Sequence, residues 1–157
     1  MSNDIYLNII ILALLPVAES RVSIPYGIIN GVDLFTVILL SIIGNIIPAP
    51  LIFVIMNKIE KWIMSFNNEN IIKKLFIRYI NNLRKRSKKL IEKYGFLGLT
   101  MFIAIPLPAT GVWTGSIIAY IFGINPKKAF FAIFIGLIIA IFIITIMTLG
   151  IFKLRLF

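Results

Sequence analysis

A chain of 157 residues that is 60% hydrophobic and only 14% charged excludes a soluble domain and has the composition of an integral membrane protein. It holds no cysteine and no histidine, which excludes disulfides, thiol nucleophiles, haem attachment and the usual zinc sites, and its six acidic residues are too scattered for a carboxylate metal cluster, so no metal or other cofactor is expected. The net charge of +10 invites a nucleic-acid partner, but 11 of the 16 lysines and arginines lie between Lys58 and Lys93 beside apolar segments, which points to the cytoplasmic face of a membrane and its anionic headgroups and away from nucleic acid.

In chain order, the first apolar run extends only from Ile5 to Ala18, short of the roughly 20 residues a crossing helix needs. It carries Asp4, has no basic start and shows no small-residue cleavage site, so it reads as mature protein and not as a signal peptide. There follows PVAESRVSIPYG, residues 16–27, where Glu19 and Arg21 stand between Pro16 and Pro25. A single ionised side chain at the bilayer centre costs about 2.5 to 3.5 kcal/mol on insertion scales, so both charges need partners or water. In a regular helix they would point apart; at a turning hairpin tip both could face one cavity. Three readings stand: a structural ion pair, a site with Arg21 for an anionic group and Glu19 for a proton or cation, or a hydrated interface.

An uncharged run from Leu34 to Asn57 is long enough to span. It contains Asn45, either interhelical glue or a ligand, followed by Pro48 and Pro50. In the basic stretch, Ile72, Phe76, Tyr79, Leu83, Leu90 and Tyr94 recur at near-helical spacing among the cations, which predicts an amphipathic helix at the inner interface.

From Tyr94 to Pro126 the chain is again uncharged but interrupted by Pro106 and Pro108. The pieces Phe96 to Ile105 and Thr110 to Phe122 are too short to cross alone. In the tip PLPATGVWTGS, a helix restarting after Pro108 would offer free N–H groups near Thr110, Gly111 and Val112, a setting that favours anions, with Thr114 and Ser116 adding hydroxyls. Plain small-residue helix contacts explain the same composition, and Trp113 either lines a site or anchors the hairpin. A last clean span runs from Ala129 to Phe152.

A shift of 92 residues places Pro16 on Pro108, Gly31 on Gly123, Asp33 on Asn125 and Gly44 on Gly136. The expected fold is therefore an all-α integral membrane protein, an inverted repeat of two units (residues 5–57 and 95–152), joined by the basic amphipathic interfacial helix over 58–94. Each unit is a proline-broken re-entrant hairpin plus one transmembrane helix. Asp4 and Asp33, the latter a helix cap like Asn125, would then face outside, and Lys127 and Lys128 inside; only Lys153 and Arg155 run against this. A plain four-helix bundle is the rival, and it leaves Lys127 and Lys128 outside.

The stretches ESRVSIPYGI and IEKYGFLGLTMFIAIPLPATGVWTGSIIAYIFG resemble the small multidrug export proteins of bacteria and archaea, over about Leu7 to Gly150. That resemblance implies a multi-pass protein of the cytoplasmic membrane. The two tips also resemble, at fold level, the DedA superfamily, which implies handling of polyprenyl phosphates; here Trp113, not a second arginine, stands opposite Arg21.

Three functions follow. The first is a transporter or flippase for an anionic amphiphile of polyprenyl-phosphate type, with Arg21, Thr110, Gly111, Trp113 and Thr114 binding substrate and Glu19 coupling a proton. The second is export of lipophilic cations on Glu19 near Tyr26, Trp113 and Tyr120. The third is a non-transporting assembly or lipid-organising protein. No nucleophile and base pair suggests an enzyme. Membrane lipids are the expected partners, and a homodimer that completes the pathway fits so few segments.

Overall fold

The computed structural model describes the backbone of residues 2–155 and the side chains of 4–151, so the Lys153 and Arg155 side chains fall outside the described residues. Those residues form eight helices and no strand: α1 (Ser2–Leu14), α2 (Glu19–Ile29), α3 (Leu34–Ile46), α4 (Pro48–Met64), α5 (Ile71–Tyr94), α6 (Phe96–Ala104), α7 (Val112–Ile121) and α8 (Pro126–Arg155). Two stretches have the length and apolarity to cross a membrane, 34–64 and 126–151. Much of the outer surface is bare hydrocarbon, with Phe35, Val54, Phe131 and Phe142 all more than half exposed, which suits lipid and not water.

Helices α3 and α4 make one bent rod. Ile47 between them keeps helical angles (φ −54°, ψ −42°), and Pro48 and Pro50 remove only the amides that would have bonded the Gly44 and Ile46 carbonyls. The basic helix begins at Ile71, so residues 58–64 complete α4 and not the linker. Asn70 caps α5 by accepting from the Ile72 N–H at 2.8 Å. Leu83, Ser87 and Ile91 of α5 turn into the bundle, while Ile71, Ile72, Leu75 and Tyr79 stay exposed among the cations.

Each short helix pair folds back on itself. Asn8 of α1 donates to the Tyr26 hydroxyl of α2 at 3.1 Å, aligning the two in opposite directions. Pro25 does not break the segment as its partnership with Pro16 suggested. It lies inside α2, where its missing N–H frees the Arg21 carbonyl alone, and the true turn occupies 15–18. The second pair turns at 105–111, where the Thr110 hydroxyl reaches the Ile105 and Leu107 carbonyls at 2.6 Å each and Ala109 takes a left-handed φ of 61°. Both outer ends of that pair lie at one end of the molecule. Phe96 follows α5 directly, the Tyr120 hydroxyl donates to Glu60 of α4, and Arg84 of α5 donates to the Ile121 carbonyl.

The two halves pack alike. Helix α1 rests on α3 and α6 on α8, while α2 reaches across to α8 and α7 to α4. Gly44 closes on the Ile10 carbonyl and Gly136 on the Thr100 carbonyl so tightly that a Cβ would lie 2.7 Å from the oxygen in each case. After α2, amides 30, 31 and 32 bond the carbonyls of 26, 28 and 27; after α7, amides 122, 123 and 124 bond those of 118, 120 and 119. Each bond recurs at the 92-residue shift. Gly31 (φ 74°) and Gly123 (φ 63°) terminate the two helices in the same left-handed conformation. Asp33 and Asn125 cap α3 and α8 as their positions predict, accepting from the Thr36 and Lys127 amides.

Candidate functional site

The tips of the two hairpins meet. The Trp113 indole N–H donates to the Leu14 carbonyl at 2.9 Å, which ties the start of α7 to the end of α1. At this junction Glu19 is buried, 4% exposed, and holds a left-handed φ of 48°. That conformation is strained for a residue with a side chain, by about 1 to 2 kcal/mol. It also settles how two residues in one short segment come to share a cavity, because it swings Glu19 out of the line that α2 follows from the next residue. The Arg21 Nη2 then lies 3.4 Å from the Glu19 Oε2.

Beyond the arginine, the carboxylate meets the beginning of α7. Glu19 lies against Gly111, the residue that precedes this helix. The first amides of a helix lack internal partners and carry the positive end of its dipole. Gly111 matters because it has no side chain: any Cβ there would collide with the carboxylate. A helix start of this kind favours an anion, and in this structure the group seated there is the carboxyl of the chain's own Glu19.

Two cavities flank the pair. A central one of about 10 Å³, room for roughly one water, is lined by Glu19, Ser20, Arg21, Asn45, Gly111 and Val112. The Asn45 Oδ1 is buried with no hydrogen-bond partner among the described residues. On the other side, a cavity of about 610 Å³ is walled by Pro16, Val17, Pro108, Trp113 and Ile117, with Arg21 and Thr114 as polar groups and Tyr79 of the basic helix at its margin. The Arg21 side chain is 22% exposed against 5% for Glu19, so the cation and not the carboxylate faces this larger space.

Of the residues singled out by sequence, Glu19, Arg21, Gly111 and Trp113 come together, and Thr114 joins at the large cavity. The Thr110 hydroxyl is spent on the loop carbonyls. Tyr120 lies elsewhere, on Glu60. Sequence reasoning left Asn45 undecided between glue and ligand, and it missed the seat of Glu19 on Gly111. A signal existed for that seat, since the 92-residue shift carries Glu19 onto Gly111.

A family model described as "Putative small multi-drug export protein" matches residues 19–143. No curated protein and no solved structure matches the chain, and the DedA-like expectation finds no support in these comparisons.

Proposed function

The chain belongs to the small multi-drug export protein family, and from that premise we propose that it exports small amphipathic compounds, lipophilic cations among them, from the cytoplasmic membrane, with Glu19 coupling export to a proton. Drug export thereby moves ahead of the lipid-phosphate reading that chemistry alone had ranked first. One observation carries the mechanism: the Glu19 carboxyl is buried between the two hairpin tips, beside Arg21 on its own segment and against Gly111 at the α7 start on the other. Ionised Glu19 clamps the tips. On protonation it loses its charge, its attraction for Arg21 and its fit to the helix dipole, so the tips can part and open the large cavity. Return of the proton to the other side restores the clamp.

The transport geometry this needs is an inverted repeat of two re-entrant hairpins and two spans. The recurrent helix-end hydrogen bonds and the Gly44 and Gly136 contacts support the repeat. The Tyr120 bond to Glu60 supports re-entry, since a fully crossing α6–α7 pair would carry Tyr120 to the side opposite α4's end. A homodimer is the assembly in which so small a unit would line a continuous path.

A second reading, movement of an anionic amphiphile of polyprenyl-phosphate type, is favoured by the exposure of Arg21 to the large cavity. Both readings are tested in proteoliposomes with an imposed pH gradient, using ethidium and a fluorescent prenyl phosphate. Gradient-driven ethidium movement, lost in Glu19→Gln, supports drug export. Movement of the prenyl phosphate alone, lost in Arg21→Gln, supports the second reading. If neither probe moves, transport is refuted for these classes and an assembly or lipid-organising role takes its place.

A further inference from the structure

A second polar cavity lies away from the hairpin tips, between the end of α4, the basic helix α5 and the end of α7. It measures about 210 Å³ and is lined by Met56, Glu60, Phe76, Ile80, Arg84 and Tyr120, with Ile121. An acid and an arginine share it without forming an ion pair with each other. Unlike charges side by side normally close on one another, so two that stay apart are each held by something else.

The holding groups are visible. One Glu60 oxygen accepts from the Tyr120 hydroxyl at 2.5 Å, and the other accepts from no described residue. The Arg84 guanidinium donates once, at a long 3.3 Å, to the Ile121 carbonyl, where a cation also suits the negative end of α7. Four of its five N–H groups have no described partner. The cavity thus presents an acceptor for an ammonium group, a forked donor for a phosphate, and a lining of Met56, Phe76 and Ile80 for the first carbons of a hydrophobic chain. It sits where α5 exposes Ile71, Ile72, Leu75 and Tyr79 among lysines and arginines, the character of a helix lying in a membrane interface.

We propose that this cavity binds the headgroup of a zwitterionic aminophospholipid, with the primary ammonium on Glu60 and the phosphodiester on Arg84. The class follows from the charges. A purely anionic lipid would set its phosphate on Arg84 but leave Glu60 opposed to it, a lipophilic cation would do the reverse, and a quaternary amine offers Glu60 no N–H to accept. A bound lipid here would join α4, α5 and α7 at their common end. This site does not depend on what the hairpin tips transport.

The test is native mass spectrometry of detergent-released protein offered equal amounts of phosphatidylethanolamine, phosphatidylcholine and phosphatidylglycerol of matched chains. Wild type should retain phosphatidylethanolamine at least threefold over either rival. Glu60→Gln should abolish that preference while sparing phosphatidylglycerol, Arg84→Gln should lower all three, and Lys85→Gln on the exposed face of α5 should lower phosphatidylglycerol alone. Tyr120→Phe, which breaks the phenol bond but keeps both charges, should keep the selectivity. Equal retention of the three lipids by wild type overturns the proposal, as does an unchanged preference in a folded Glu60→Gln. Soluble glycerophosphoethanolamine is the competing source: if it displaces the lipid at equal concentration, the ligand is a water-soluble amine phosphate and the lipid assignment fails.

Discussion

The Glu19 carboxylate occupies the space in which a Cβ on Gly111 would have to sit. A glycine is therefore required there by a side chain 92 positions earlier in the chain. Gly111→Ala must expel the carboxylate or push the tips apart, and overpacking of this kind costs about 1 to 3 kcal/mol. Thermal unfolding in detergent should show that loss, and Glu19→Ala combined with Gly111→Ala should recover part of it, because the smaller residue vacates the space. Additive losses in the double variant would mean that the two do not meet.

The second hairpin tip carries its own strain at Ala109, φ 61°. Glycine at this position relieves about 1 to 2 kcal/mol of steric cost and returns about 0.4 to 1 kcal/mol through the freer unfolded chain. Ala109→Gly should raise the melting temperature slightly, whereas Ala109→Val should lower it, since a β-branched side chain tolerates that conformation least. A stabilising valine would contradict the geometry.

These two positions mark where the sequence was legible and where it was not. Proline spacing located the second break well: pieces expected at 96–105 and 110–122 appear as α6, 96–104, and α7, 112–121. The same cue misled at Pro25, because this proline, seventh of the eleven residues of α2, loses one bond and the surrounding contacts carry the rest. Glu19 and Arg21 announced themselves as charges in an apolar setting, and Asp33 and Asn125 as caps. What stayed hidden was pairing over distance. Nothing local to Glu60 points to Tyr120, and nothing local to Asn45 says that it lines the Glu19 cavity.

Gly44 and Gly136 should respond alike. In each a Cβ would lie 2.7 Å from a backbone oxygen, and backbone yields less readily than a flexible side chain. Gly44→Ala and Gly136→Ala should each destabilise by about 1 to 3 kcal/mol. Gly150, which has open space around it, should instead gain from alanine's better helix propensity, by up to about 1 kcal/mol. Differential scanning fluorimetry on the three variants decides the matter, and a silent Gly136→Ala would undo the proposed kinship between α1 on α3 and α6 on α8.

Asp33 supplies a pH dependence outside the membrane-spanning helices. Hydrogen bonds from Thr36, through its side chain and its amide, hold the Asp33 carboxyl below its ordinary value. The folded state therefore binds this proton less readily than the unfolded one, and the cap's stabilisation is present above the unfolded value of about 4 and lost as pH falls through the lower folded value. Asp33→Asn keeps a capping oxygen that does not titrate. Melting curves from neutral pH down to about pH 3 should fall more steeply for wild type than for the variant in that window, and parallel curves would deny the cap its pH dependence.

The orientation of α6 and α7 can be read chemically, because the chain has no cysteine of its own. Asn30 follows α2 and Asn125 precedes α8, and both are exposed. If both hairpins are re-entrant, the two positions lie on opposite sides of the membrane: Asn30→Cys reacts with an impermeant maleimide added outside intact cells, and Asn125→Cys reacts only after permeabilisation. A fully crossing α6–α7 pair places Asn125 outside instead. Labelling of Asn125→Cys from outside would also be at odds with the Tyr120 bond to Glu60 near the end of α4, and would overturn the proposal that Glu19 works between two tips that enter from opposite faces.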